Sequence, residues 1–207
     1  MNMIYMGCCM NLPNKITLLR IALIPVFLFV YLVTPMPEII NLWLALVIFV
    51  FASVTDAIDG HIARKYGLVT NFGKLMDPLA DKLLVCSALV AFIYTGSLGV
   101  LGGQFSAWAV IILISREFYV TGLRQLAINQ GRVLAAMKGG KWKMGFQIAL
   151  VVVVLIPVQM LSLFFAFEIH YTIHNWTVLA LLIITLVLSV YSAVDYTVKN
   201  KDVFVKL

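Results

Sequence analysis

Four aspartates, Asp56, Asp59, Asp77 and Asp81, stand in a sequence otherwise suited to a bilayer, and their spacing is where this chain could do chemistry. They are four of its nine acidic residues, while the flanking runs are almost uncharged. Asp56 and Asp59 are related as i and i+3, Asp77 and Asp81 as i and i+4, so on helices each pair shares one face. Carboxylates gathered in this way repel one another unless cations lie between them. An all-oxygen ligand set with no Cys or second His nearby points to a hard divalent ion, Mg²⁺ or Mn²⁺, rather than zinc. Two such ions about 3.5–4 Å apart form an apparatus for displacement at phosphorus.

The small residues around the acids fit the same chemistry. Gly60 and Ala63 follow Asp56 by four and seven positions on one helix face, leaving a groove without side chains in which a flat group can lie. Arg64 is placed to clamp a phosphate. Taken singly, these residues also suit tight helix packing in membranes, or neutralising ion pairs. A divalent-cation transporter would use the four acids alone and give Gly60, Ala63 and Arg64 no role. An intramembrane aspartyl protease would need only two of the acids.

The elements that must hold these residues are read from composition. The chain has 207 residues, 63% of them hydrophobic and 12% charged, with a mean hydropathy of +1.03, which excludes an ordinary soluble protein. Its 15 Lys and Arg against 9 Asp and Glu are carried by no soluble basic domain, so anionic headgroups or a phosphorylated substrate fit better than nucleic acid. The three cysteines have neither metal nor disulfide spacing. Residues 1–10 read as a flexible extension ahead of a natural start at Met10, and residues 11–207 as a single domain. The fold class expected is all-α: a polytopic membrane protein of six transmembrane helices with a short juxtamembrane helical segment at its N-terminus.

The helices are expected from about Asn14 to Val33, capped by Asn14, from Ile39 to Lys65, and from Gly73 to Tyr94 with Pro78 tolerated in the first turns. They continue from Gln104 to Asn129, from Met144 to Phe167 and from Thr172 to Tyr196. A basic connection of residues 131–143 is expected to turn at Gly139-Gly140. At about 1.5 Å per residue, Asp56 lies roughly 25 Å along the second helix, close to a membrane boundary. All 15 Lys and Arg lie at the termini or around the second-to-third and fourth-to-fifth connections, and none in residues 34–38, 96–103 or 168–175. The positive-inside rule then places both termini and the carboxylates on the cytoplasmic side of a multi-pass cell-membrane protein. His170 and His174 fall in an expected outer loop beside Tyr171 and Trp176, and His61 lies between the two Asp faces.

The run Asp56-x-x-Asp59-Gly60-x-x-Ala63-Arg64, eight residues, Gly73-x-x-x-Asp77-x-x-x-Asp81 resembles the signature of the CDP-alcohol phosphotransferase family, without gap or substitution. That resemblance implies a six-helix membrane enzyme, usually a homodimer, that uses two metal ions to move a phosphatidyl or similar group from a CDP-linked donor to an alcohol. It implies that Asp56, Asp59 and Asp77 are metal ligands and that Asp81 is a general base also near the metals. By the same resemblance Asp56, Gly60, Ala63 and Arg64 bind the CDP moiety, with Gly73 at the close-packed entry of the third helix. Asn14 and Thr17 either cap the first helix or reach the nucleotide.

The stretches from Asn11 to Arg20, Gly73 to Lys82 and Ser115 to Arg124 resemble the bacterial phosphatidylglycerophosphate synthases within that family. This implies CDP-diacylglycerol as donor and sn-glycerol 3-phosphate as acceptor, in a membrane of phospholipids. Other members of the family, forming cardiolipin, phosphatidylserine or inositol-phosphate lipids, share the chemistry with a different acceptor. Arg116 and Arg124, on roughly one face of the fourth helix, and Lys141 and Lys143 supply cations for an acceptor phosphate. Lys138, Lys199, Lys201 and Lys206 read as headgroup anchors. The pattern departs at Met144, where the resemblance would place Thr.

Overall fold

The computed structural model describes residues 12–66, 71–99, 102–129, 138–157 and 167–199, apart from the side chains of 12–15, 56–66, 71–78, 81, 126–129, 138–141 and 167–169. These residues form six helices: α1 (Leu12–Leu32), α2 (Glu38–Tyr66), α3 (Asn71–Thr95), α4 (Gly103–Asn129), α5 (Lys138–Leu155) and α6 (Phe167–Lys199). No strand occurs among the described residues. Within α2, α4 and α6 lie stretches long and apolar enough to cross a membrane, and α1, α3 and α5 carry shorter apolar stretches.

Helix α1 packs against both α2 and α3, which touch each other only slightly among the described residues, so α1 works as a wedge between them. Its Phe27 ring lies 6.2 Å from Phe49 of α2, and its Tyr31 ring meets Phe92 of α3 edge-on at 5.4 Å. Such aromatic pairs contribute about 0.5–1.5 kcal/mol beyond the area they bury. Helix α6 packs on α4 and α5, and contacts of α3 with α4 and of α5 with α2 and α3 join the two halves. Between them lies a continuous apolar core that includes Phe27, Phe49, Leu89, Phe92, Leu113, Leu150 and Leu182.

The outer surface is as apolar as the core. Phe29, Val47, Phe51, Val90, Ile111, Val187 and Val194 are exposed, a surface that water would not tolerate but that hydrocarbon solvates. Tyr94, Trp108 and Trp176 are exposed near one end of the bundle and Trp142 and Tyr191 toward the other, as expected of side chains at the two interfaces of a bilayer. The chain is a helical membrane protein.

Several boundaries differ from those read in the sequence. Helix α1 already includes Asn14, so Asn14 is not its cap, and α3 starts at Asn71, two residues before the expected start, which puts Pro78 in its third turn. Gly139 and Gly140 belong to α5, which starts at Lys138 and ends at Leu155, twelve residues before the expected end at Phe167. Pro157 lies just beyond that end: it cannot continue a helix, and it disfavours the helical conformation at Ile156. Residues 168–175 are helical and not a loop, since α6 begins at Phe167. Gly96 follows α3 with a φ of 74°, the left-handed conformation that ends a helix and that glycine adopts without penalty.

Candidate active site

The buried side chains of α1, α2 and α3 define the faces that meet inside the bundle. On α2 they are Ala45, Phe49 and Ala52, spaced four and three residues apart. Continuing that register gives Asp56, one turn beyond Ala52, then Asp59 and Ala63. On α3 the buried stripe Ala80, Leu84 and Ala88 continues backwards to Asp77, with Asp81 one turn beyond Asp77. On α1 the stripe of Phe27 and Ile24 passes into Arg20 and Thr17, each only 1% exposed. All three inner faces turn from apolar to polar at the same end of the bundle.

Arg20 ties two of these faces together. Its Nε donates to the Ala52 carbonyl at 3.3 Å, and the Thr55 hydroxyl donates to the same oxygen at 2.8 Å. A guanidinium so deeply buried is costly unless anions compensate it, and the carboxylate-bearing turns of α2 begin one turn past Ala52. Arg20 is not among the residues that the spacing of the acids singles out. The periodicity that follows Phe27 and Ile24 back to position 20 was the signal that could have found it.

The side chains of Asp56, Asp59, Gly60, His61, Ala63, Arg64, Gly73, Asp77 and Asp81, and of Asn14 and Lys141, lie outside the described residues, although all these positions are helical. The register of α2 and α3 and the all-oxygen character of this donor set fit hard divalent cations. Thr17 lies one turn before Arg20 on the same buried face.

A second polar cluster lies where α4, α5 and α6 meet. Glu117 Oε1 accepts from Arg116 Nη1 at 2.8 Å and from Lys143 Nζ, so one carboxylate serves two cations. Arg116 also reaches α6, where Nε donates to the Ser189 carbonyl at 3.2 Å and Nη2 to the Ser192 hydroxyl at 2.7 Å. The side chains of Arg116 and Lys143 are only 10% and 3% exposed, which excludes a role as simple headgroup anchors. Arg124 is exposed on the same helix. Glu117, Ser189 and Ser192 were not anticipated as site residues, because the contacts that bring them in, from Lys143 and Arg116, span 26, 73 and 76 positions of sequence.

A cavity of about 730 Å³ opens at the opposite end of the bundle, lined by Tyr31, Asn41, Thr95, Ser97 and His174 among others. Among the described residues neither Lys nor Arg lines it, so these offer no cation for a phosphate. His174 lies there on α6 and not on a loop.

The sequence model of the CDP-alcohol phosphatidyltransferase family matches residues 10–191. The CDP-diacylglycerol–glycerol-3-phosphate 3-phosphatidyltransferase of Bacillus subtilis (strain 168) is 43% identical over 175 residues, covering 75% of this chain and 83% of that protein. A Rickettsia bellii protein of the same name is 41% identical over 116 residues, or 56% of this chain and 58% of that protein. A probable phosphatidylglycerophosphate synthase of Mycobacterium tuberculosis is 36% identical over 149 residues, with 72% of this chain and 68% of the relative covered.

Proposed function

The chain belongs to the CDP-alcohol phosphatidyltransferase family, and from that premise we propose that it transfers the phosphatidyl group of CDP-diacylglycerol to sn-glycerol 3-phosphate, releasing CMP. The observation that carries this reading is the 43% identity to the Bacillus subtilis enzyme of that activity, over 83% of its length. The turn to polar residues on the inner faces of α1, α2 and α3 supports a site at one end of the bundle. In this reading all six helices span the bilayer, both termini and the site face the cytoplasm, and the protein is a homodimer.

Asp56, Asp59, Asp77 and Asp81 would hold two divalent cations, Mg²⁺ or Mn²⁺, which when bound neutralise charge at the pyrophosphate. Gly60 and Ala63 leave room on α2 for the cytidine, with Arg64, Thr17 and Asn14 as polar contacts and Gly73 allowing close entry to α3. Arg116, Arg124, Lys141 and Lys143 bind the phosphomonoester of the acceptor and present its primary hydroxyl. Asp81 accepts the proton of that hydroxyl, the oxygen forms a bond to the phosphatidyl phosphorus, and the bond from phosphorus to CMP breaks. The protein contributes positioning and electrostatics, and no covalent enzyme intermediate is needed.

The test is CMP release by the purified protein with CDP-diacylglycerol and a panel of acceptors. Glycerol 3-phosphate is expected to be used in strong preference to serine, inositol phosphate or phosphatidylglycerol. Preference for one of the others would overturn the acceptor while leaving the family chemistry in place.

A further inference from the structure

The junction of α4, α5 and α6 contains a carboxylate that the transfer reaction does not itself require. Glu117 is 9% exposed and takes hydrogen bonds from both Arg116 and Lys143, two of the four cations assigned to the acceptor phosphate. Two desolvated cations beside each other repel strongly, and the carboxylate that they share offsets that repulsion. The cluster of Arg116, Glu117 and Lys143 keeps a net charge of +1. Arg116 has five N–H donors, of which Glu117, Ser189 and Ser192 engage three. Among the described residues, one N–H on each terminal nitrogen has no further acceptor, and oxygens of a phosphate can accept from these.

The geometry points to Glu117 as the positioning residue of the acceptor-phosphate subsite. It keeps Lys143 of α5 beside Arg116 of α4 and, with Ser192 of α6, sets the plane of the guanidinium that receives the phosphomonoester. This rests on the acceptor reading proposed above. Because Glu117 touches the cations and not the nucleotide, its loss should weaken use of one substrate only.

The experiment is steady-state CMP release by the full-length protein and its Glu117→Gln and Ser192→Ala variants, varying each substrate at saturating levels of the other, with melting temperatures measured alongside. Glu117→Gln keeps the shape and one acceptor oxygen but loses the charge. Its KM for glycerol 3-phosphate is expected to rise about tenfold, and that of Ser192→Ala about threefold. The KM for CDP-diacylglycerol should stay within about twofold in both, since the nucleotide positions lie on other helices. An unchanged or lowered KM for glycerol 3-phosphate, or equal rises for both substrates, would overturn the positioning role. Should Glu117→Gln fail to fold, Ser192→Ala, which alters no charge, decides by the same criterion. An active wild type with unaltered variants overturns this inference alone. A wild type that ignores glycerol 3-phosphate and uses another alcohol overturns the acceptor reading and this inference together.

Discussion

Replacing Arg20 by lysine should disable the enzyme even though the charge is kept. The Arg20 Nε donates to the Ala52 carbonyl, and with it α1 is fastened to α2 one turn before Asp56. Lysine has no donor at the Nε position, and its single ammonium cannot replace a planar fork. A hydrogen bond from a charged donor contributes about 1.5–3 kcal/mol. If that loss falls on the alignment of α1 and α2 in the transition state, kcat/KM drops roughly ten- to hundredfold. Arg20→Met, which also removes a cation from a side chain 1% exposed, should cost more and lower the melting temperature. The assay is CMP release at varied CDP-diacylglycerol, with thermal unfolding in the same detergent. Arg20→Lys with kcat/KM within twofold of wild type and an unchanged melting temperature would refute the idea that α1 aligns the carboxylate helix.

Other residues give complementary outcomes. Asp81→Asn should retain CDP binding, measured by equilibrium titration, while CMP release falls by about 10²-fold or more, the contribution of a positioned general base. Arg124→Gln should raise the KM for glycerol 3-phosphate and leave that for CDP-diacylglycerol unchanged, which steady-state kinetics would resolve. At the opposite end, Tyr31 OH lies 3.0 Å from both Thr95 Oγ1 and Ser97 Oγ. Tyr31→Phe should lower stability by about 0.5–1.5 kcal/mol in thermal unfolding and leave kcat alone, because that end carries no part of the site.

The apolar runs made α1, α2 and α4 legible to within two residues at most boundaries, since a bilayer demands long helices and leaves the chain few alternatives. The start of α5 was not legible. Gly139-Gly140 carries a helix penalty of about 1 kcal/mol per glycine, yet the helix includes both, so context overrode local preference. The polar residues Glu168, His170 and Asn175 resembled a loop, but α6 runs through all three, and its stretch apolar enough to cross a membrane already includes His170 and Asn175. Within the site, carboxylate spacing could be read because i, i+3 and i, i+4 relations are local. The pairing of Glu117 with Lys143 and of Arg116 with Ser192 joins residues 26 and 76 positions apart, which only the packing of α4, α5 and α6 brings together.

Four acids, in the register that continues the buried faces of α2 and α3, are proposed to serve a metal-dependent phosphatidyl transfer. The measurement that reaches it most directly is CMP release from CDP-diacylglycerol and glycerol 3-phosphate by chelator-treated protein, titrated with Mg²⁺ or Mn²⁺, for wild type and Asp56→Asn. No release is expected without added cation, with restoration in wild type and little or none in Asp56→Asn at any cation concentration. Release that persists in excess chelator, or an Asp56→Asn variant restored like wild type, would contradict it.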